Sequence, residues 1–182
     1  MERIEMYELD YVETLVKRKP QPLFIALKYI LGFFTVVFFL MFMTGGALLN
    51  LGGIVGAVVF LILTAASGAG CYFANLNSNI EYEYQYCDKE ITVDRIYNKS
   101  SRKRAATYEL SKMEVFAPVS SSRLDAFKNR NYKEVDFGSG VIESPDSRFI
   151  MYYDGKEKVT FNPDEKLIAA VYAAAPSKTV KA

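Results

Sequence analysis

Residues 29–80 read YILGFFTVVFFLMFMTGGALLNLGGIVGAVVFLILTAASGAGCYFANLNSNI, 52 positions without an Asp, Glu, Lys or Arg. The average composition hides this stretch. Over 182 residues there are 22 Lys or Arg against 21 Asp or Glu, a formal charge of +1, and 51% apolar types, which on its own describes an ordinary globular domain. The charges are confined to the two ends: residues 1–28 carry five acids and five bases, and residues 81–182 carry sixteen and seventeen. A gap of that length is the signature of a membrane-embedded segment, and it divides the chain into a membrane part and a soluble part.

Within the gap, residues 23–43 are apolar except for Lys28, whose long stem can carry its ammonium back to the headgroups. Twenty-one helical residues reach about 31 Å, one bilayer core. Gly45, Gly46, Asn50, Gly52 and Gly53 then supply breakers, and residues 54–74 give a second uncharged stretch. The pattern predicts a transmembrane hairpin over 23–75. Lys17, Arg18, Lys19 and Lys28 precede it, the connection is uncharged, and Lys89 and Arg95 follow, so both termini are expected in the cytoplasm of a multi-pass cell-membrane protein. Tyr29 and Tyr72 fall at matching interfacial depth. Gly52 and Gly56 stand in G-x-x-x-G spacing and Gly68 lies in a later run of small residues, a pattern for close helix packing. The partner is either the first helix of the same chain or a second membrane segment, from a homo-oligomer or another protein.

The soluble flanks have different periods. In the amphipathic segment 1–22, Met6, Leu9, Val12, Leu15 and Val16 recur at helical spacing, which predicts a short helix packed on the soluble domain or lying in the membrane interface. After Asn79, Ile80, Tyr82, Tyr84 and Tyr86 alternate with Glu81, Glu83 and Gln85, a two-residue repeat for a half-buried strand. Asp88-Lys89 turns the chain toward Ile91 and Val93, with a break resembling a bulge at Ile96-Tyr97. Further strands are predicted at 107–110, 113–119 and, more weakly, 132–137, with a short helix or turn after Ser120. Residues 149–153 and 159–161 flank Asp154-Gly155, a hairpin signal. Asn162 as N-cap, Pro163 and Glu165 open a last helix whose buried face is Leu167, Ile168, Val171 and Tyr172. The soluble domain is thus expected over 79–176, with 177–182 as a tail.

The chain contains no His and no Trp, which closes Ser/His/Asp and Cys/His catalysis and imidazole metal sites. Cys71 and Cys87 lack C-x-x-C spacing, and a thiol nucleophile without a neighbouring base has no route to a low pKa. The residues give no catalytic dyad, metal set or cofactor loop, and the balanced charge gives no broad surface for nucleic acid. The concentrated charge feature is Arg95, Lys99, Arg102, Lys103 and Arg104, with no acid between Asp94 and Glu109. Residues 98–104 are expected to form a loop that meets membrane lipid or a phosphate group, binds a protein partner, or acts only as a positive topology signal.

About seven short antiparallel strands followed by one amphipathic helix resemble the pleckstrin-homology-like (PH-like) barrel. Placed after a two-helix hairpin, and with residues 11–19 (YVETLVKRK) before it and 91–104 after it, the chain resembles a bacterial two-helix membrane family of the domain-of-unknown-function 6106 type. That resemblance implies a PH-like cytoplasmic barrel plugged at one end by the C-terminal helix. It also implies a non-catalytic module for a protein partner or an anionic lipid headgroup. The alternative is a small accessory subunit of a transporter or envelope-assembly complex, contacting it through the glycine-rich hairpin.

Overall fold

Strand β1, Tyr11–Lys17, precedes the long apolar segment and belongs to the domain that follows it. In the computed structural model, which describes residues 11–45 and 53–181, this segment is extended and not helical. Val12, Thr14 and Val16 are buried while Tyr11, Glu13, Leu15 and Lys17 are exposed, a strict period of two carried by three β-branched residues on the inner face. Leu15 suggested a helical spacing but is half exposed, and Met6 and Leu9 lie outside the described residues. β1 pairs antiparallel with β2, Ile80–Cys87, from Tyr11↔Cys87 to Lys17↔Glu81. The whole hairpin is therefore inserted between two paired strands.

The inserted unit consists of α1, Pro22–Met43, and α2, Ile54–Ser78. Both are long and apolar enough to cross a membrane. Pro22 opens α1, where a missing N–H costs nothing. The helices pack antiparallel through small and hydroxyl side chains. Thr35 Oγ1 donates to Ser67 Oγ at 3.1 Å, Cys71 Sγ to the Lys28 carbonyl at 3.4 Å, and a Cβ on Gly70 would come within 3.0 Å of Leu31. Phe33, Phe34, Val36, Leu40, Leu61 and Ile62 point outward. The turn predicted at Gly46, Asn50 and Gly52 lies outside the described residues.

The β-rich unit joins the residues up to Lys19 with those from Glu81 onward. β3 is Glu90–Tyr97, β4 Ser101–Glu109, β5 Met113–Pro118, β6 Lys133–Asp136, β7 Phe149–Tyr153 and β8 Glu157–Phe161, with a 3₁₀ turn at Ser122–Phe127 and α3 at Glu165–Ala174. Among the described residues these form two four-stranded sheets, β1-β2-β3-β4 and β5-β7-β8-β6. The fold departs from the expected antiparallel barrel of seven strands in three ways. An eighth strand arrives from before the hairpin, β6 lies parallel to β8, and the two sheets are not closed into one barrel. The bulge falls at Val93/Asp94, not at Ile96-Tyr97. Residues 101–104 are strand and not loop, because Asn98 and Lys99 take the left-handed conformations that turn the chain early.

The two sheets share an aromatic core. Tyr84 meets Phe161 edge-on at 5.2 Å, Tyr82 meets Phe137 at 5.3 Å, and Tyr108 meets Tyr153 at 4.9 Å. The buried Tyr84 hydroxyl donates to the Phe137 carbonyl at 2.7 Å and accepts from the Asn162 amide at 3.3 Å. Asp164, not Asn162, caps α3: its carboxylate accepts from the Leu167 amide at 2.8 Å and from the Thr14 hydroxyl at 2.9 Å. Asn162 instead accepts from the Ser139 amide. Leu167, Ala170 and Val171 are the buried face of α3, with Ile168 and Tyr172 only partly covered. The C-terminal segment docks rather than trailing free: Phe116 N–H donates to the Lys178 carbonyl and Val180 N–H to the Phe116 carbonyl, at 2.8 and 2.9 Å.

Because β1 pairs with β2 and sets Val12, Thr14 and Val16 beside Tyr86, Tyr84 and Tyr82, residues 79–182 alone lack a structural strand. Losing Val12 and Val16 removes about 3–6 kcal/mol of burial, at about 1.5–3 kcal/mol per side chain. Residues 79–182 expressed alone are expected to give no cooperative melting transition. Residues 11–19 joined by a short Gly/Ser linker to 80–182 are expected to restore one. Calorimetry of the two proteins checks this, and equal transitions would show that β1 is dispensable.

Candidate functional site

The five clustered bases are divided by the pleat of β3 and β4. On the outer face Arg102 forms an ion pair with Glu83 of β2, and Arg104 Nε approaches Asp94 at 3.6 Å. Glu83 is only 1% exposed although it faces outward, because neighbouring side chains cover it. Burial pushes its pKa above the ordinary glutamate value, and the Gln85 hydrogen bond and the Arg102 charge pull the other way. Arg102 thus compensates a buried carboxylate, which is a structural duty. β4 is also the open edge of its sheet, and charged side chains with a bulge are the usual protection of such an edge against pairing with another chain.

Arg95 and Lys103 are on the inner face as direct cross-strand partners. The Arg95 guanidinium lies 5.4 Å from the Tyr82 ring centroid and 5.9 Å from that of Tyr97, and donates to the Tyr82 hydroxyl at 3.2 Å. Arg95 Nε is buried without an acceptor among the described residues. Arg18 shares Tyr82, with its guanidinium 5.8 Å from the ring centroid and Nη1 donating to the hydroxyl at 2.8 Å. Arg18 then binds the carboxylate and the carbonyl of Asp136, each at 3.2 Å. Arg95, Tyr97, Lys103 and Arg104 form one wall of a groove of about 510 Å³, and β6 forms the other. The acids on β6 are already engaged, Glu134 with Lys158 at 2.8 Å and Asp136 with Arg18. Lys133 pairs with Glu157 at 2.9 Å.

The structure therefore gathers Arg95 and Lys103 of the inner face on one groove, which Arg104 also lines from the outer face, places Lys99 in the β3–β4 turn, and turns Arg102 away to Glu83. Arg18, Tyr82, Tyr97 and Lys133 join the site without having been singled out. Arg18 sits in the Lys17-Arg18-Lys19 run, which in sequence reads as a topology signal, and Lys133 opens a strand too short to carry a clear period. Of the glycines read as packing positions, Gly52 lies outside the described residues, Gly56 is buried in α2, and Gly68 faces Thr35 of the same hairpin at 3.7 Å.

The chain belongs to the bacterial PH-like domain family DUF6106, whose model matches residues 8–181. No curated protein and no solved structure matches it.

The Arg102–Glu83 pair has a defined pH signature. A folded carboxyl with a raised pKa binds more protons than the unfolded chain, so stability is highest below the ordinary value near 4.5 and declines as pH rises through the folded pKa. Glu83→Gln is expected to flatten that part of the curve. Arg102→Ser, which removes a compensating charge, is expected to carry the decline to higher pH. Melting temperatures of the three proteins between pH 4 and 8 check it, and identical slopes would remove Glu83 as a titrating group.

Proposed function

We propose that this chain is a two-helix integral membrane protein that holds a non-catalytic PH-like module at the cytoplasmic surface. There its basic β3–β4 hairpin engages anionic lipid headgroups. Support for the membrane part is the apolar surface of α1, in which no residue is buried by the rest of the protein. The observation that carries the binding part is the charge balance of the hairpin. Arg102 and Arg104 have acid partners in Glu83 and Asp94, whereas Arg95, Lys99 and Lys103 have none among the described residues. A local excess of base in a chain of net charge +1 is a feature that an anionic surface would satisfy.

The β-rich unit, with residues 11–19 linked to 80–182, is expected to float with phosphatidylglycerol vesicles and not with phosphatidylcholine vesicles at low salt. Lys99→Ser with Lys103→Ser should weaken this by about 2 kcal/mol at roughly 1 kcal/mol per base, some 30-fold, without lowering the melting temperature. Binding indifferent to headgroup charge would reject the lipid reading in favour of a protein partner.

Orientation has its own test. In a background lacking Cys71 and Cys87, single cysteines at Leu48 and Ser177 are expected to label from opposite sides of the membrane, Leu48 from outside. Labelling of both from one side would remove the hairpin.

A further inference from the structure

We propose that Arg95 and Lys103 form a site for a terminal phosphate group, a phosphate monoester, in the groove between β4 and β6. This rests on the reading of the β3–β4 hairpin as an anion-binding element, and it narrows that element from a diffuse charged surface to one point with defined chemistry.

Three observations converge on it. Arg95 and Lys103 are direct cross-strand partners on the inner face, and like charges in that relation repel. No acid of the groove relieves them, since Glu134 and Asp136 face it but are committed to Lys158 and Arg18. Arg95 Nε is buried without an acceptor, although a buried donor without one is costly. The Tyr82 and Tyr97 rings, with the bond to the Tyr82 hydroxyl, fix the plane of the guanidinium and so the direction of its remaining donors. A fixed guanidinium fork with an ammonium opposite it matches an anion that offers several oxygens and nearly two charges. A phosphate monoester carries about −1.5 to −2 at neutral pH and three such oxygens. A diester carries one charge and two free oxygens, and leaves one of the two cations uncompensated. Arg102 is excluded from the site by its ion pair with Glu83 on the opposite face, and Arg104, which lines the groove, already approaches Asp94. At about 510 Å³ the groove has room for a phosphate with a small substituent.

The monoester can belong to a lipid with a terminal phosphate or to a soluble metabolite, and the experiment separates them. The full chain is placed in phosphatidylcholine nanodiscs and titrated with glycerol phosphate by calorimetry. In parallel, nanodiscs doped with phosphatidic acid or with phosphatidylglycerol at equal surface charge are compared by hydrogen exchange of residues 95–104. The expected result is saturable binding of one glycerol phosphate per chain, with greater protection by phosphatidic acid than by phosphatidylglycerol if the source is lipid. Lys103→Ala, at an exposed position, and Arg95→Lys, which keeps the charge but loses the fork, should each weaken glycerol phosphate binding at least tenfold. Arg102→Ser should not. Glycerol phosphate binding without protection by either lipid supports the site with a soluble source and rejects the lipid reading. Equal protection by both lipids with no glycerol phosphate binding overturns the site while the lipid reading stands. No response to any of the three overturns both. Unchanged binding in Lys103→Ala also overturns the site.

Discussion

The ladder between β1 and β2 is the constraint on which the rest depends. Arg18, just past the end of that ladder, donates to the hydroxyl of Tyr82 within it; the two are 64 residues apart in sequence, and almost everything between is the hairpin. Closing so long a connection costs only slightly more entropy than closing a short one, because the penalty grows with the logarithm of length. Burial of Val12, Thr14 and Val16 beside the β2 tyrosines offsets it. Once Lys17 stands opposite Glu81, the two helices that depart from those strands must return to where they started. Thr14 extends the same constraint to the far end of the chain by donating to Asp164, so that β1 also fixes the cap of α3.

The charged residues are divided between duties by their neighbours, not by their type. Arg102 and Arg104 look equivalent to Lys103 in sequence, yet the pleat sends them outward to Glu83 and Asp94, where they neutralise carboxylates and guard an open edge. Lys103 is sent inward against Arg95, where the carboxylates of the groove, Glu134 and Asp136, are already paired with Lys158 and Arg18. A Coulombic attraction at the outer face and an unrelieved repulsion at the inner face follow from a shift of one residue. The bulge at Val93/Asp94 sets that phase, since an added residue on β4 exchanges the faces of all that follow.

What could be read in the sequence was what depends on local pattern. The uncharged stretch, the tyrosine alternation of β2, the Asp154-Gly155 turn and the amphipathic last helix each carry their signal within a few residues. β1 was misread because Val12, Leu15 and Val16 fit a helical stripe, and its strand partner is far away in sequence. Only that pairing shows that Leu15 is outside and Thr14 inside. The start of β4 was hidden for the opposite reason: charges that protect an edge strand look like the charges of a loop. The cap of α3 reads as Asn162 in the sequence, whereas Asp164, a residue of equal capping strength, holds it, and contacts from Thr14 and Ser139 decide between them. In the candidate site, the basic run was visible but its division was not, and Arg18 and Tyr82 belong to it only through the fold.

The central claim is that the first sheet of the β-rich unit is interrupted in sequence by the apolar hairpin, and strand register tests it most directly. In the full chain lacking Cys71 and Cys87, Lys17→Cys with Glu81→Cys should form an intramolecular disulfide efficiently under mild oxidation. Lys17→Cys with Gln85→Cys, displaced by four residues or about 13 Å along β2, should not. Equal crosslinking of the two pairs, or none of the first, would contradict the account.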